Sequence, residues 1–152
     1  MDKLSKSTID FRKSVVDLEH ELKDQAKNNI ELVVGDSDKF PLKHTFAHGI
    51  YVREMKMEKD TFVLGKIHQH DHVWFLLTGH LLVETENGIE EYIAPCYVKA
   101  SGGTQRLIRA LKHSIFVNVH TNPDNSENIE ELESQIIAKN YLEYEKNKQL
   151  KS

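Results

Sequence analysis

The sequence predicts a mainly β protein, a barrel or sandwich of short strands with one helix before it and one after it. Three observations carry this. Short runs rich in β-branched and aromatic residues fill residues 49–121, and turn pairs separate them. No glycine or proline interrupts Met1 to Glu31, where apolar residues recur at helical spacing. After Pro123 the helical period returns.

The first helix is expected over about residues 5–29. Phe11, Val15, Leu18 and Leu22 form a narrow apolar seam, and Leu4 extends it. A seam this thin docks on its own domain or pairs with a copy of itself; an oligomerisation arm is the reading preferred here. The strands are expected in GIYVREMKM, TFVLGKIHQH, HVWFLL, HLLVETE, IEEYIA, CYVKAS, TQRLIRAL and SIFVNVH. Asn87-Gly88 between two of them predicts a hairpin with a type I′ turn, since both central residues of that turn need positive φ. Asp124 with Glu127 three residues on reads as a capping box. Ile129, Leu132 and Ile136 would then face the barrel, Tyr141 would extend the series, and EYEKNKQLKS would be a solvated tail. The chain divides into an arm (1–30), a barrel (31–123) and a C-terminal helix with its tail (124–152).

The length of 152 residues suits one core. No apolar run approaches the ~20 residues of a membrane span. The N-terminus lacks the apolar stretch of a signal peptide, and a single cysteine, Cys96, fits a reducing cytoplasm. The expectation is a cytoplasmic protein with no membrane partner. A net charge of −4 speaks against binding DNA or RNA polymers. Yet Tyr92 to Pro123 contains no Asp or Glu, while it holds Lys99, Arg106, Arg109 and Lys112. That is a local positive field suited to a small anionic ligand.

The stretch GKIHQHDHVWFLLTG places His68, His70 and His72 at alternating positions, on one face of an unbroken strand. Three neutral imidazoles there would hold Zn, Ni or Cu; the other reading is a polar barrel lining. Trp74 on the same face is either core or a platform for a ligand ring. Tyr51 and Arg53 share a face, as do Phe116, Asn118 and His120. Arg109 falls on the opposite face from Arg106, so only one of the two would line an interior. Cys96 reads as a small hydrophobe, and Asp71 as a residue that orients the histidines or occupies a turn.

H-x-H on a strand, a Thr-Gly turn, and GGTQR some 35 residues later resemble the cupin superfamily over about residues 45–121. More narrowly, GKIHQHDH, YIAPCYVKASGGTQR and the C-terminal stretch look like small cupin-fold proteins of tailed phages. The resemblance implies a jelly-roll β-barrel. In its first motif His68 and His70 match the two histidines, and the glutamate position falls on Trp74 or Phe75. In its second motif Gly103 matches, Ser101 replaces proline, Arg106 replaces the third histidine and Ala110 replaces asparagine. With half of the expected ligands gone and a cation in place of one, no cofactor is favoured.

The function expected is a non-enzymatic module for an anionic ligand, and the residues expected to bind it are Arg106, Arg109, Lys99, Trp74, Tyr51, Arg53, His68, His70, Asn118 and His120. The phage resemblance extends this to a homo-oligomer that sequesters a cyclic oligonucleotide signal of bacterial immunity in the host cytoplasm. One alternative is a cupin enzyme with a divalent transition metal on His68, His70 and His72. Another is a phage structural or host-takeover protein with a vestigial pocket.

Overall fold

The computed structural model describes residues 4–27 and 40–151, without the side chains of 19 and 22–27. Helix α1 spans Lys6–Lys27. Ten strands follow: β1 (Leu42–Ala47), β2 (Gly49–Met57), β3 (Phe62–Leu64), β4 (Ile67–His68), β5 (His72–Thr78), β6 (His80–Thr85), β7 (Gly88–Ile93), β8 (Cys96–Ala100), β9 (Leu107–Ala110) and β10 (Ser114–Asn122). Helix α2 (Ile129–Ile136), strand β11 (Ile137–Ala138) and helix α3 (Tyr141–Lys151) end the chain.

The strands form two antiparallel sheets, β1-β2-β10-β5-β8 and β3-β9-β6-β7, with β11 paired to β4 as a separate ribbon. Alternation of side chains decides what lies between them. Met57, Trp74, Leu76 and Phe116 point inward from the first sheet and meet Val63, Leu81, Val83 and Ile108 from the second. Each such side chain contributes about 1.5–3 kcal/mol by leaving water. At the β5–β6 corner Gly79 has φ +99, and a Cβ there would lie 2.1 Å from Ser114 Oγ and 2.6 Å from the His113 carbonyl oxygen. Only glycine fits that turn.

Several local expectations change. Strands β1 and β11 were not anticipated, because LKHTFA and IA are too short and mixed to stand out. The β6–β7 turn is centred on Glu86 and Asn87; Gly88 takes the positive φ of 112 and Asn87 does not, so the turn is not type I′. The cap of α2 is Asn128, whose side chain accepts from Glu131 N, in place of Asp124. Asn122 holds Ser126 through two hydrogen bonds and Asn125 takes φ 52, which delays the helix by four residues. The C-terminal stretch is helix α3 and not a tail. Asn140 accepts from Glu143 N while the Glu143 carboxylate accepts from Lys139 N, so a reciprocal cap starts it. Tyr141 begins α3 and does not continue α2.

Helix α1 docks on its own domain. Val15 is buried, and the Arg12 guanidinium sits 4.0 Å from the centroid of the Tyr141 ring and 3.2 Å from Glu145 Oε1. Phe11 and Leu18 are half-buried and Leu4 is exposed. The Leu22 side chain and the 30/31 division lie outside the described residues.

Candidate functional site

The inner face of the large sheet changes character along its strands. Near one end it carries Met55, Phe116 and Leu76; further along it carries Arg53, Asn118 and Trp74, and then Tyr51 and His120. His72 enters at the start of β5. His68 comes from β4, which is fixed on three sides: Ile137 pairs opposite it, Gln69 N donates to the Ile136 carbonyl, and Gly103 N donates to the His68 carbonyl. The C-terminal segment thus positions a residue of the barrel interior.

His68, His72 and His120 converge. Their ring centroids are 4.2, 5.0 and 5.1 Å apart, and one ring nitrogen of each lies within 4.8 Å of the others. His70 is not among them. The run bends at Gln69 and His70, so strand alternation fails between His68 and His72. His70 is exposed, with its Nε2 3.3 Å from Lys151 Nζ. Burial makes the charged imidazolium unfavourable and lowers the pKa of all three clustered rings, that of His72 to about 4 and that of His120 to about 3. For His68 and His120 the neighbouring His72, and for His72 the Arg106 cation, act in the same direction. All three are neutral at pH 7.

Arg106 reaches the same interior and is only 6% exposed. Gln105 Nε2 donates to the Gly65 carbonyl and Gly65 N donates to the Arg106 carbonyl, which fixes its backbone. Its Nη2 lies 3.3 Å from His72 Nε2, while Nε and Nη1 find no partner among the described residues. Among the described residues no carboxylate pairs with it. Burial lowers its pKa to about 10, which still leaves a cation at neutral pH. His72 Nε2 also lies 3.1 Å from Asn118 Oδ1. A neutral ring nitrogen either donates or accepts, so it serves Asn118 Oδ1 or Arg106 but not both. When Nε2 donates to Asn118, His72 Nδ1 is a free lone pair and Arg106 has no acceptor.

Beside them is a cavity of about 80 Å³, whose polar lining is Arg53, Lys66, His68, Arg106 and Asn118. Leu42, Met55, Ile108 and Phe116 supply apolar wall. At the mouth Glu133 of α2 pairs with Arg53 at 3.1 Å and Lys66 at 3.3 Å. At about 30 Å³ per molecule the space holds about three waters.

The structure therefore groups Arg106, Arg53, His68, Asn118 and His120 of the expected residues. It separates the others. Trp74 is 1% exposed and packed on Phe116 and Tyr92, so it is core and offers no free ring face. Tyr51 is also 1% exposed; its hydroxyl hydrogen-bonds His44 Nδ1 at 2.7 Å beneath α2. Arg109 is exposed on the outward face of β9. Lys99 is exposed and binds Asp71, whose other oxygen accepts from Gly102 N, so Asp71 secures a turn. Cys96 is half-buried against the core. Sequence reasoning missed Lys66 and Glu133, and it missed His120 as the third member of the cluster. Its one signal was that His120 shares a face with Asn118.

The donor set fits a transition metal. Three neutral imidazoles suit Zn, Ni or Cu, and the unpartnered Nδ1 atoms of His68 and His72 are buried lone pairs or donors that nothing described satisfies.

Two facing antiparallel sheets with a polar site inside one end make a cupin-like fold. Solved structures bear this out. A cupin superfamily protein from Desulfitobacterium hafniense superposes with a TM-score of 0.50 at 6% identity, covering 59% of this chain and 84% of that one. Ectoine synthase from P. lautus gives 0.50 at 16% identity, over 59% and 68%. Oxalate decarboxylase from Lactobacillus farciminis, solved as a formate complex, gives 0.51 at 18% identity over 64% of this chain and 32% of that one. At such identities the likeness concerns the fold alone. No protein-family model matches the sequence, and no curated protein does.

Proposed function

We propose that this protein binds a small anion, a carboxylate or phosphate compound, inside the barrel. The observation that carries the proposal is Arg106: a buried cation with two nitrogens unpartnered and no acid beside it among the described residues, and a cavity in front of it. A guanidinium grips such an oxyanion through two parallel hydrogen bonds. Arg53 and Lys66 share the Glu133 carboxylate, so together they add one net positive charge beside the cavity, and Asn118 adds a neutral polar group. Space for about three waters favours an anion of a few heavy atoms. A cyclic dinucleotide is larger than that, so immune-signal sequestration is the weaker form of the reading. Titration calorimetry with phosphate, acetate, malonate and a cyclic dinucleotide tests it. At least one small anion should bind with sub-millimolar Kd. Heat from none of them removes the proposal, and heat from the cyclic dinucleotide alone transfers the site to larger ligands.

A second reading has its own observation in the convergence of His68, His72 and His120. These residues, and not His70, would hold the metal. A metal would supply Lewis-acid or redox chemistry toward an anion held by Arg106. Zn²⁺ titration should give one site per chain. His120→Ala should weaken it by more than the ~10–100-fold that loss of an outer-sphere partner costs, and His70→Ala should leave it unchanged. Equal sensitivity to both substitutions would reject this ligand set.

A further inference from the structure

We infer that the site takes a short dicarboxylate, and that Glu133 of α2 holds the place of its second carboxylate until the ligand displaces it. The inference rests on the anion site at Arg106. The cavity has room for about three waters, which accommodates one carboxylate against Arg106. A longer anion therefore extends to the mouth, where Glu133 Oε1 lies 3.1 Å from Arg53 Nη1 and 3.3 Å from Lys66 Nζ. A carboxylate is already seated there, on two cations that also line the cavity. The charges agree. Arg106, Arg53 and Lys66 are three cations against the single carboxylate of Glu133, which leaves a net charge of +2 beside the neutral histidines. A dicarboxylate balances that charge, and a monocarboxylate leaves half of it.

Glu133 is placed to yield. Leu132 and Ile136 pack with Tyr51 and hold α2 on the barrel, and the Glu133 carbonyl accepts from Ile137 N at the end of the helix. None of these contacts uses the Glu133 carboxylate. The side chain is 31% exposed, so a change of rotamer carries it into water with the backbone in place. Arg53 and Lys66 meet the same oxygen of Glu133, Oε1. Partly exposed pairs of this kind contribute little to stability, so displacing the carboxylate costs little. A ligand whose inner carboxylate is held by Arg106 presents its outer one to Arg53 and Lys66 at high effective concentration. There it can make the two-bond fork that a guanidinium forms with a carboxylate.

Titration calorimetry of the full chain with malonate, succinate and glutarate, and with acetate as the monocarboxylate, tests this. Glu133→Gln should strengthen binding of at least one dicarboxylate about fivefold and change that of acetate less than about twofold, because only a second carboxylate competes with Glu133. Lys66→Met, at a side chain 43% exposed, should weaken the same dicarboxylate by a similar factor and leave acetate within about twofold. Glu127→Gln removes an exposed carboxylate outside α2 and should alter neither, which controls for the general effect of charge. Equal gains for acetate and the dicarboxylates in Glu133→Gln overturn the inference. So does the lack of any gain, or dicarboxylate binding that Lys66→Met does not weaken. In those cases the anion site itself stands as long as acetate binds the wild type and not Arg106→Met. Heat from no anion, in the wild type and in Glu133→Gln alike, removes both.

Discussion

Acidifying the metal-free protein from pH 7 to pH 5 is expected to lower its thermal midpoint by about 10 °C or more. His68, His72 and His120 all have folded pKa values below the ordinary value of about 6.5, with burial the leading cause. As pH falls through 6.5 the unfolded chain takes up protons on these rings and the folded chain does not. Stability therefore falls with pH, and the loss continues until the folded rings titrate, near pH 4 for His72 and near 3 for His120. His72 and His120 each cost about 1.8 kcal/mol between pH 7 and 5, and His68 acts in the same direction, so the loss is roughly 3–4 kcal/mol or more after allowance for mutual coupling. For a domain of this size 1 kcal/mol moves the midpoint by about 2–4 °C. Carboxylates titrate mostly below this window, so calorimetry at pH 7, 6 and 5 isolates the histidines. A midpoint level across those values would show that the rings protonate as readily folded as unfolded.

Replacing Arg106 by Met is expected to raise stability and abolish anion binding together. The guanidinium has lost its hydration, and in exchange it has one side-chain hydrogen-bond contact among the described residues, the 3.3 Å approach to His72 Nε2. Leaving a buried charge this poorly matched costs more than its Coulombic surroundings return, and apolar replacement of buried ions stabilises by about 1–4 kcal/mol in comparable cases. Methionine has similar reach and would lie against the apolar wall of Ile108 and Phe116. The midpoint should rise by several degrees, while affinity for the small anion falls at least about 100-fold through loss of charge-assisted bonds worth about 1.5–3 kcal/mol each. The opposite signs are the diagnostic feature. A variant less stable than the wild type would mean that Arg106 has structural compensation, and retained affinity would move the anion site away from it.

The readability of this chain followed the range of the forces involved. Strands β2, β5, β6, β7, β8 and β10 stand out because alternation and turn residues act within a few positions. The separation of Arg106 from Arg109 followed from the same two-residue period. The metal set did not. Its expectation extended a period of two from His68 through His70 to His72, and the bend at Gln69 and His70 ended that period. The reciprocal cap around Asn140 and Glu143 was present in the sequence, but α3 has no apolar stripe to draw attention to it.

By itself the sequence determined the two-sheet class, the acid-free central stretch and the presence of an arginine where the cupin pattern expects a ligand. Tertiary structure alone decided which histidines meet and whether that arginine finds a partner. The reason is that β10 pairs with β5 across more than 40 residues, bringing His120 to His72, and β11 returns from beyond α2 to hold His68. Local periodicity tells which way a side chain points from its own strand. What it then faces depends on pairings between distant segments, which are fixed by burial of the whole core.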